Sequence, residues 1–273
     1  MQFDTDVSRV SMLLGWTRSD LVAYLAKHAE KHLTKGIYGA RSKNSKVGNT
    51  PRAGFGLTRE KTVRSCTLAG CALRHVKDGG KGGSGENPLC YSLYGTPAFG
   101  HSSSQRAYTR NPDRYSPDRA ISGRHRLAKM VRIGTIGDPS TAERPDLYRF
   151  IIGALDAGLD PIGYTHAWRE DWAQDLRPWL RASCETALDV SLARAMGWVP
   201  VVTQRTAGDT WDTSEGLTRY TGDRRVSLGS VSGIVCPAMI RPKAITCNRC
   251  RVCRTRGPLV VFPDHGPTAR VRS

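Results

Sequence analysis

From Met130 to Gln204 the chain alternates short apolar runs with stretches of helical spacing, and this alternation limits the fold more than any other feature. MVRIGTIGD is an apolar run ending in Gly137 and Asp138. RPDLYRFIIGALDAG carries apolar residues at helical intervals and stops at Gly158, after which DPIGYTHAWR reads as a strand again. DLRPWLRAS and the short SCET follow, then ALDVSLARAMGW as a helix and VPVVTQ as a strand. Strands and helices alternating at this pitch predict parallel βα units and an α/β core. VSLGSVSGIVCPA adds one more strand before a cysteine-rich tail.

The N-terminal flank has a different pattern. Val10, Leu13, Leu14, Leu21, Val22, Leu25 and Leu33 recur at spacings that suit one face of a helix or helix pair, with Thr17 and Ser19 available as caps near Gly15. Residues 35–64 are basic and rich in Gly, Ser, Asn and Thr, which predicts loop and irregular strand. Loop-like tracts are also expected over 78–88 and from His101 to about Arg119. The chain thus divides into N-terminal helices with a basic arm (1–60), a βα core (61–235) and a cysteine-rich extension (236–273).

Charge follows the same division. The 273 residues carry a formal net charge of +17, but residues 1–137 hold 23 basic and 9 acidic side chains, residues 138–218 hold 7 and 13, and residues 219–273 hold 11 and 2. Basic ends around an acidic middle point to a nucleic acid or another polyanion, against the plainer reading of a solvated basic face. No run reaches the ~18 apolar residues of a membrane span, and Asp4 and Asp6 stand where a signal peptide needs basic residues, so a cytoplasmic protein without membrane association is expected.

In a parallel βα array, ligands bind at the carboxyl ends of the strands. The polar residues there are Asp138, Thr165, His166, Glu185 and Gln204. Each could be a helix cap or an ordinary loop residue; together, at successive strand ends, they suggest a shared pocket. His166 could serve as acid, base, ligand or structural histidine.

With 39% hydrophobic residues, a chain of this length needs no disulfide staples, so its eight cysteines suggest metal in a reducing compartment. Cys236 is followed by Pro237, and Cys247, Cys250 and Cys253 lie in CNRCRVC. Three closely spaced cysteines with a remote Cys-Pro favour a cubane iron–sulfur cluster, with a four-thiolate zinc knot as the alternative. Arg249, Arg251, Arg254 and Arg256 interleave with them and favour thiolates, or are plain surface charge. Cys66, Cys71 and Cys90 form a second set with no evident fourth cysteine, consistent with a cluster keeping one iron open; His75 or His101 could instead complete a zinc site. Cys184 stands alone and reads as a small buried hydrophobe.

The ordered set NSKVG, SCTLAGC with CYSLYG, VRIGTIGD, GYTHAWR, SCETALDVSLARAMGW and CPA with CNRCRVC and VVFPDHG, covering roughly residues 43–266, resembles an uncharacterised family of phage and prophage proteins. The family's best-known branch is named for gene product eighty-eight of mycobacteriophages. The family in turn resembles a divergent radical S-adenosylmethionine enzyme. The resemblance implies a partial or complete parallel (β/α) barrel with an N-terminal helical cap and a Cys-rich C-terminal extension. It also implies a cofactor-binding cluster on Cys66, Cys71 and Cys90, Gly137 and Asp138 near the methionine end of the cofactor, and Glu185 near its ribose. The spacing departs from the superfamily's CxxxCxxC.

Two functions follow as expectations. One is an iron–sulfur enzyme acting on nucleic acid or a nucleic-acid-bound substrate, with Asp138, His166, Glu185 and Gln204 as catalytic candidates. The other is a non-enzymatic, metal-stabilised module that binds nucleic acid or a host protein.

Overall fold

The apolar runs lie side by side as strands of one sheet. The computed structural model describes residues 2–41, 49–56, 65, 68–69, 95–203, 225–228, 231–240, 244–254 and 259–262. In chain order these form α1 (Gln2–Leu14), α2 (Arg18–Lys27), β1 (Gly36–Gly39), β2 (Arg52–Phe55), α3 (Gly95–Arg110), α4 (Pro117–Ser122), β3 (Met130–Ile133), α5 (Arg144–Asp156), β4 (Asp160–Thr165), β5 (Leu180–Cys184), α6 (Ala187–Ala195), β6 (Pro200–Thr203), β7 (Arg225–Leu228), β8 (Val231–Val235), α7 (Pro237–Ile240), α8 (Cys247–Cys250) and β9 (Leu259–Phe262). The sheet has nine strands in the order β1-β2-β3-β4-β5-β6-β9-β8-β7. Seven strands, β2 through β6 with β9 and β8, run parallel, and β1 and β7 pair antiparallel at the two edges. The fold is α/β with a mostly parallel sheet. Among the described residues its two edge strands do not pair with each other, so the sheet is an open row.

Strand register sorts the side chains onto two faces. Val131, Ile133, Leu180, Ala182, Cys184, Val202 and Val261 belong to the large core shared with α1, α5 and α6. Tyr148, Phe150 and Ile151 of α5 are fully buried there, each contributing about 2–3 kcal/mol through removal from water. On the other face, Met130 and Arg132 of β3 align with Asp160 and Ile162 of β4, and Arg181 of β5 aligns with Tyr164. This second face receives the cysteine segment.

Local chemistry explains the helix limits. Thr17 caps α2 with a reciprocal bond pair to Asp20, and Thr186 caps α6 in the same way with Asp189. After α5 the chain reverses at Gly158, whose φ of +70° suits glycine.

Several expectations are corrected. The tract from His101 to about Arg119 is mostly helical, in α3 and α4. The helix is held there by tertiary bonds at Ser104 and Gln105: Arg52 Nη2 donates to Ser104 Oγ at 2.9 Å and Gln105 Nε2 donates to the Gly56 carbonyl at 3.0 Å. In the N-terminal pair Val10 and Leu21 are fully buried, whereas Leu13, Val22 and Leu33 are 53%, 45% and 65% exposed, because the stripe that meets the core runs through Val7, Val10, Leu14, Leu21, Tyr24 and Leu25. The single strand expected at 226–238 is the β7–β8 hairpin. The sheet draws on all three sequence segments: β1 and β2 come from the basic arm, and β9, from the extension, lies between β6 and β8.

Candidate metal centre

The late cysteines come from two places. β8 ends at Val235, and the Cys236 N–H extends the ladder by donating to the Val261 carbonyl at 2.8 Å, which leaves the buried Cys236 side chain beside β9. The other three lie on α8 and the 3₁₀ turn after it. Cys250 N–H donates to Thr246 O, and Arg251 N–H to Cys247 O. Arg251 then takes φ +55°, ψ +11°, the only non-glycine residue with positive φ among the described residues. That left-handed step turns the chain between Cys250 and Cys253.

Polar contacts fasten this loop to the starts of β3 and β4. The Lys129 N–H donates to Asn248 Oδ1 at 2.8 Å, and Asn248 Nδ2 donates to Leu127 O at 2.9 Å. Arg251 Nε donates to Asp160 Oδ2 at 3.0 Å, its Nη2 reaches the same oxygen, and Arg254 Nε lies 2.9 Å from Asp160 Oδ1. Of the interleaved arginines, Arg251 and Arg254 therefore have a structural role.

Cys236, Cys247, Cys250 and Cys253 line one cavity of about 20 Å³, closed on the sheet side by Met130, Ile162 and Val260. That is room for one ion or one water molecule. No group of three or more His, Cys, Asp or Glu among the described residues is already drawn together to hold a metal ion. Thiols bonded to one ion at ~2.3 Å are pulled to within ~4 Å of each other; protonated thiols among apolar side chains have no such constraint. Desolvation pushes the Cys247 and Cys253 thiols up. The Arg132 guanidinium opposes this at both, and at Cys253 so do Arg181 and a hydrogen bond from Tyr164. The donor set, soft thiols with cations facing them, suits a thiophilic metal.

A second constellation sits at the carboxyl ends of β3 and β4. Asp138 is buried, and its Oδ1 accepts from Ser140 N–H (3.0 Å), Ser140 Oγ (2.6 Å) and Thr165 Oγ1 (2.8 Å), while Oδ2 accepts from the His166 N–H (2.9 Å). Burial alone would push this carboxyl up; the His166 and Ser140 contacts outweigh it and hold it below the ordinary carboxylate value. His166 Nδ1 stands 3.7 Å from Asp138 Oδ2. Gly137 has φ +71°, and a Cβ there would lie 2.4 Å from the Phe55 carbonyl oxygen. Ser65 Oγ accepts from the Asp138 N–H at 2.9 Å, donates to the Asp138 carbonyl at 3.0 Å and lies 2.7 Å from Thr141 Oγ1.

The structure thus brings Asp138, Thr165 and His166 together. Glu185 lies at the end of the neighbouring β5, its backbone N–H donating to Asp189 Oδ2. Cys66, Cys71, Cys90, His75 and Gln204, and the side chain of His101, lie outside the described residues. Cys184 is fully buried with its thiol pushed up to about 12 by desolvation, as a packing residue should be.

Two clusters escaped the sequence reading. Arg144 and Asp175 form a buried ion pair at 2.6 Å, completed by the Tyr24 and Tyr148 hydroxyls on Asp175 and by the Ser140 and Ala142 carbonyls on Arg144. Every partner is distant in sequence or unremarkable locally. Tyr164 and Arg132 were legible only as strand residues; the alternation that puts them on the cysteine face could have drawn attention to them.

No family description, curated protein or solved structure matches the chain. No helix among the described residues is long and apolar enough to cross a membrane.

Proposed function

We propose that the chain is an iron–sulfur protein whose late cluster is held by Cys236, Cys247, Cys250 and Cys253. The observation that carries this reading is that four thiols from two separate segments line one cavity against the sheet. Three of them within seven residues suit a polynuclear centre better than crowding around one ion. A bound cluster supplies one-electron transfer. The chain's own part is to desolvate the centre with Met130, Ile162 and Val260 and to balance thiolate charge with Arg132 and Arg181.

The enzymatic form of the proposal is a radical S-adenosylmethionine type reaction on a nucleic acid or a nucleic-acid-bound substrate. Cys66, Cys71 and Cys90 would hold the cofactor-binding cluster, with Gly137, Asp138 and Glu185 toward the cofactor. It draws support from Ser65, the residue before Cys66, being bonded to the backbone of Asp138 at the strand ends. With both carboxylate oxygens engaged, Asp138 fixes the β3 and β4 loops, which leaves the part-exposed His166 as the group there able to move a proton. The basic segments 1–137 and 219–273 would guide a polyanion.

A second reading, a zinc-stabilised nucleic-acid-binding module, is favoured by the cavity's single-ion size. Anaerobic purification separates the two. Brown, oxygen-sensitive protein with iron and sulfide, forming 5′-deoxyadenosine on reduction with the cofactor, supports the enzyme. Colourless protein holding zinc alone, with nucleic-acid affinity falling steeply with salt, supports the module.

A further inference from the structure

Tyr164 lies near the end of β4 on the face that receives the cysteine loop, and its side chain lines the same cavity as the four thiols. Its hydroxyl donates to Cys253 Sγ at 3.3 Å, within reach for a sulfur acceptor. The Arg132 guanidinium carbon stands 4.0 Å from the ring centroid, and Phe262 of β9 meets the ring edge to face with centroids 5.3 Å apart. Two strands thus fix the ring while a cation covers one of its faces. A cation over a phenol draws electron density from the ring and makes the hydroxyl a stronger donor.

We propose that Tyr164 is a positioning residue of the late metal centre, setting the electron density on the Cys253 sulfur through its O–H···S bond, with Arg132 strengthening that bond. The proposal rests on the reading of these cysteines as metal ligands and adds what tunes them. A thiolate that accepts a hydrogen bond donates less charge to its metal, as outer-shell partners commonly arrange. Cys253 is therefore less electron-rich as a ligand than it would be without that bond.

Cobalt(II) alone, added anaerobically to metal-free full-length protein, serves as the probe, because its sulfur-to-metal charge-transfer band reports sulfur electron density whichever metal is native. Wild type and Tyr164→Phe should bind cobalt with equal stoichiometry, and the variant's band should move to longer wavelength. Replacing Tyr164 by 3-fluorotyrosine, a stronger donor of nearly the same shape, should move the band to shorter wavelength and keeps the test open should Tyr164→Phe fail to fold. Cobalt binding with the band unmoved in a folded variant overturns the role of Tyr164. A wild type that binds no cobalt overturns the cysteine centre itself, and the tuning with it.

Discussion

Arg251 holds a left-handed backbone, φ +55°, while its side chain donates to Asp160 at the start of β4. The two facts belong together. An L-residue in this region costs on the order of 1 kcal/mol relative to glycine, and the ion pair, shared with Arg254, offsets that cost and keeps the turn between Cys250 and Cys253 docked. Arg251→Gly should therefore be more stable than Arg251→Ala by about 1 kcal/mol in urea unfolding, since both lose the ion pair and only alanine retains the strain. Asp160→Asn should cost about 1–2 kcal/mol, the Arg254 share being small because that side chain is half exposed. Equal stabilities for the glycine and alanine variants would remove backbone strain from this account.

Gly137 precedes the buried Asp138 and leaves no room for a side chain against Phe55. Gly137→Ala combines a strained φ with a clash against backbone, which cannot swing aside as a flexible side chain could. A loss of about 2–4 kcal/mol in denaturant midpoint analysis is expected.

Asp138 and His166 should separate cleanly by mutation. Asp138→Asn leaves buried donors from Ser140, Thr165 and His166 facing an amide, and should destabilise by about 2–4 kcal/mol. His166→Gln should change stability by less than about 1 kcal/mol while abolishing whatever turnover the protein shows. If both variants prove equally stable, the structural role given to Asp138 is wrong.

The acid limb of stability should carry the signature of His32. Its ring is desolvated, and its Nε2 bonds to the Trp172 carbonyl at 2.9 Å. Desolvation, with Arg144 nearby, lowers its pKa from 6.5 to about 4. Between those values the unfolded chain binds the proton and the folded one does not, so stability is fully present above pH 6.5 and falls as the pH drops toward 4. The loss should be on the order of 3 kcal/mol, and His32→Gln should flatten it in urea titrations across that range. Asp138, held below its ordinary value, contributes stability that is lost only at still lower pH.

The strands Met130–Ile133 and Pro200–Thr203 were legible in the sequence because they belong to mostly apolar runs beside stretches of helical spacing, and burial on both faces demands such runs; Leu180–Cys184, with Arg181 and Ser183, carries that signal only weakly. Thr17 announced the start of α2 as a cap, which the structure completes with Asp20, whereas the equivalent Thr186–Asp189 cap of α6 emerged only in the structure. Ligand spacing also singled out Cys236, Cys247, Cys250 and Cys253 as a set, and all four line one cavity. What stayed hidden depends on distant partners: α3 forms where Arg52 and Gly56 hold Ser104 and Gln105, and the Arg144–Asp175 pair joins residues 31 positions apart. The insertion of β9 between β6 and β8 is a matter of topology that LVVF alone does not encode.

The central claim is that the four late cysteines hold one metal centre. The most direct measurement is iron, acid-labile sulfide and zinc content of anaerobically isolated full-length protein, beside a variant carrying Cys247→Ser, Cys250→Ser and Cys253→Ser. The account predicts about four iron and four sulfide per chain in the wild type beyond what the variant retains, as befits one cubane on four thiolates. Identical metal content in the two proteins, with the variant folded, would contradict it.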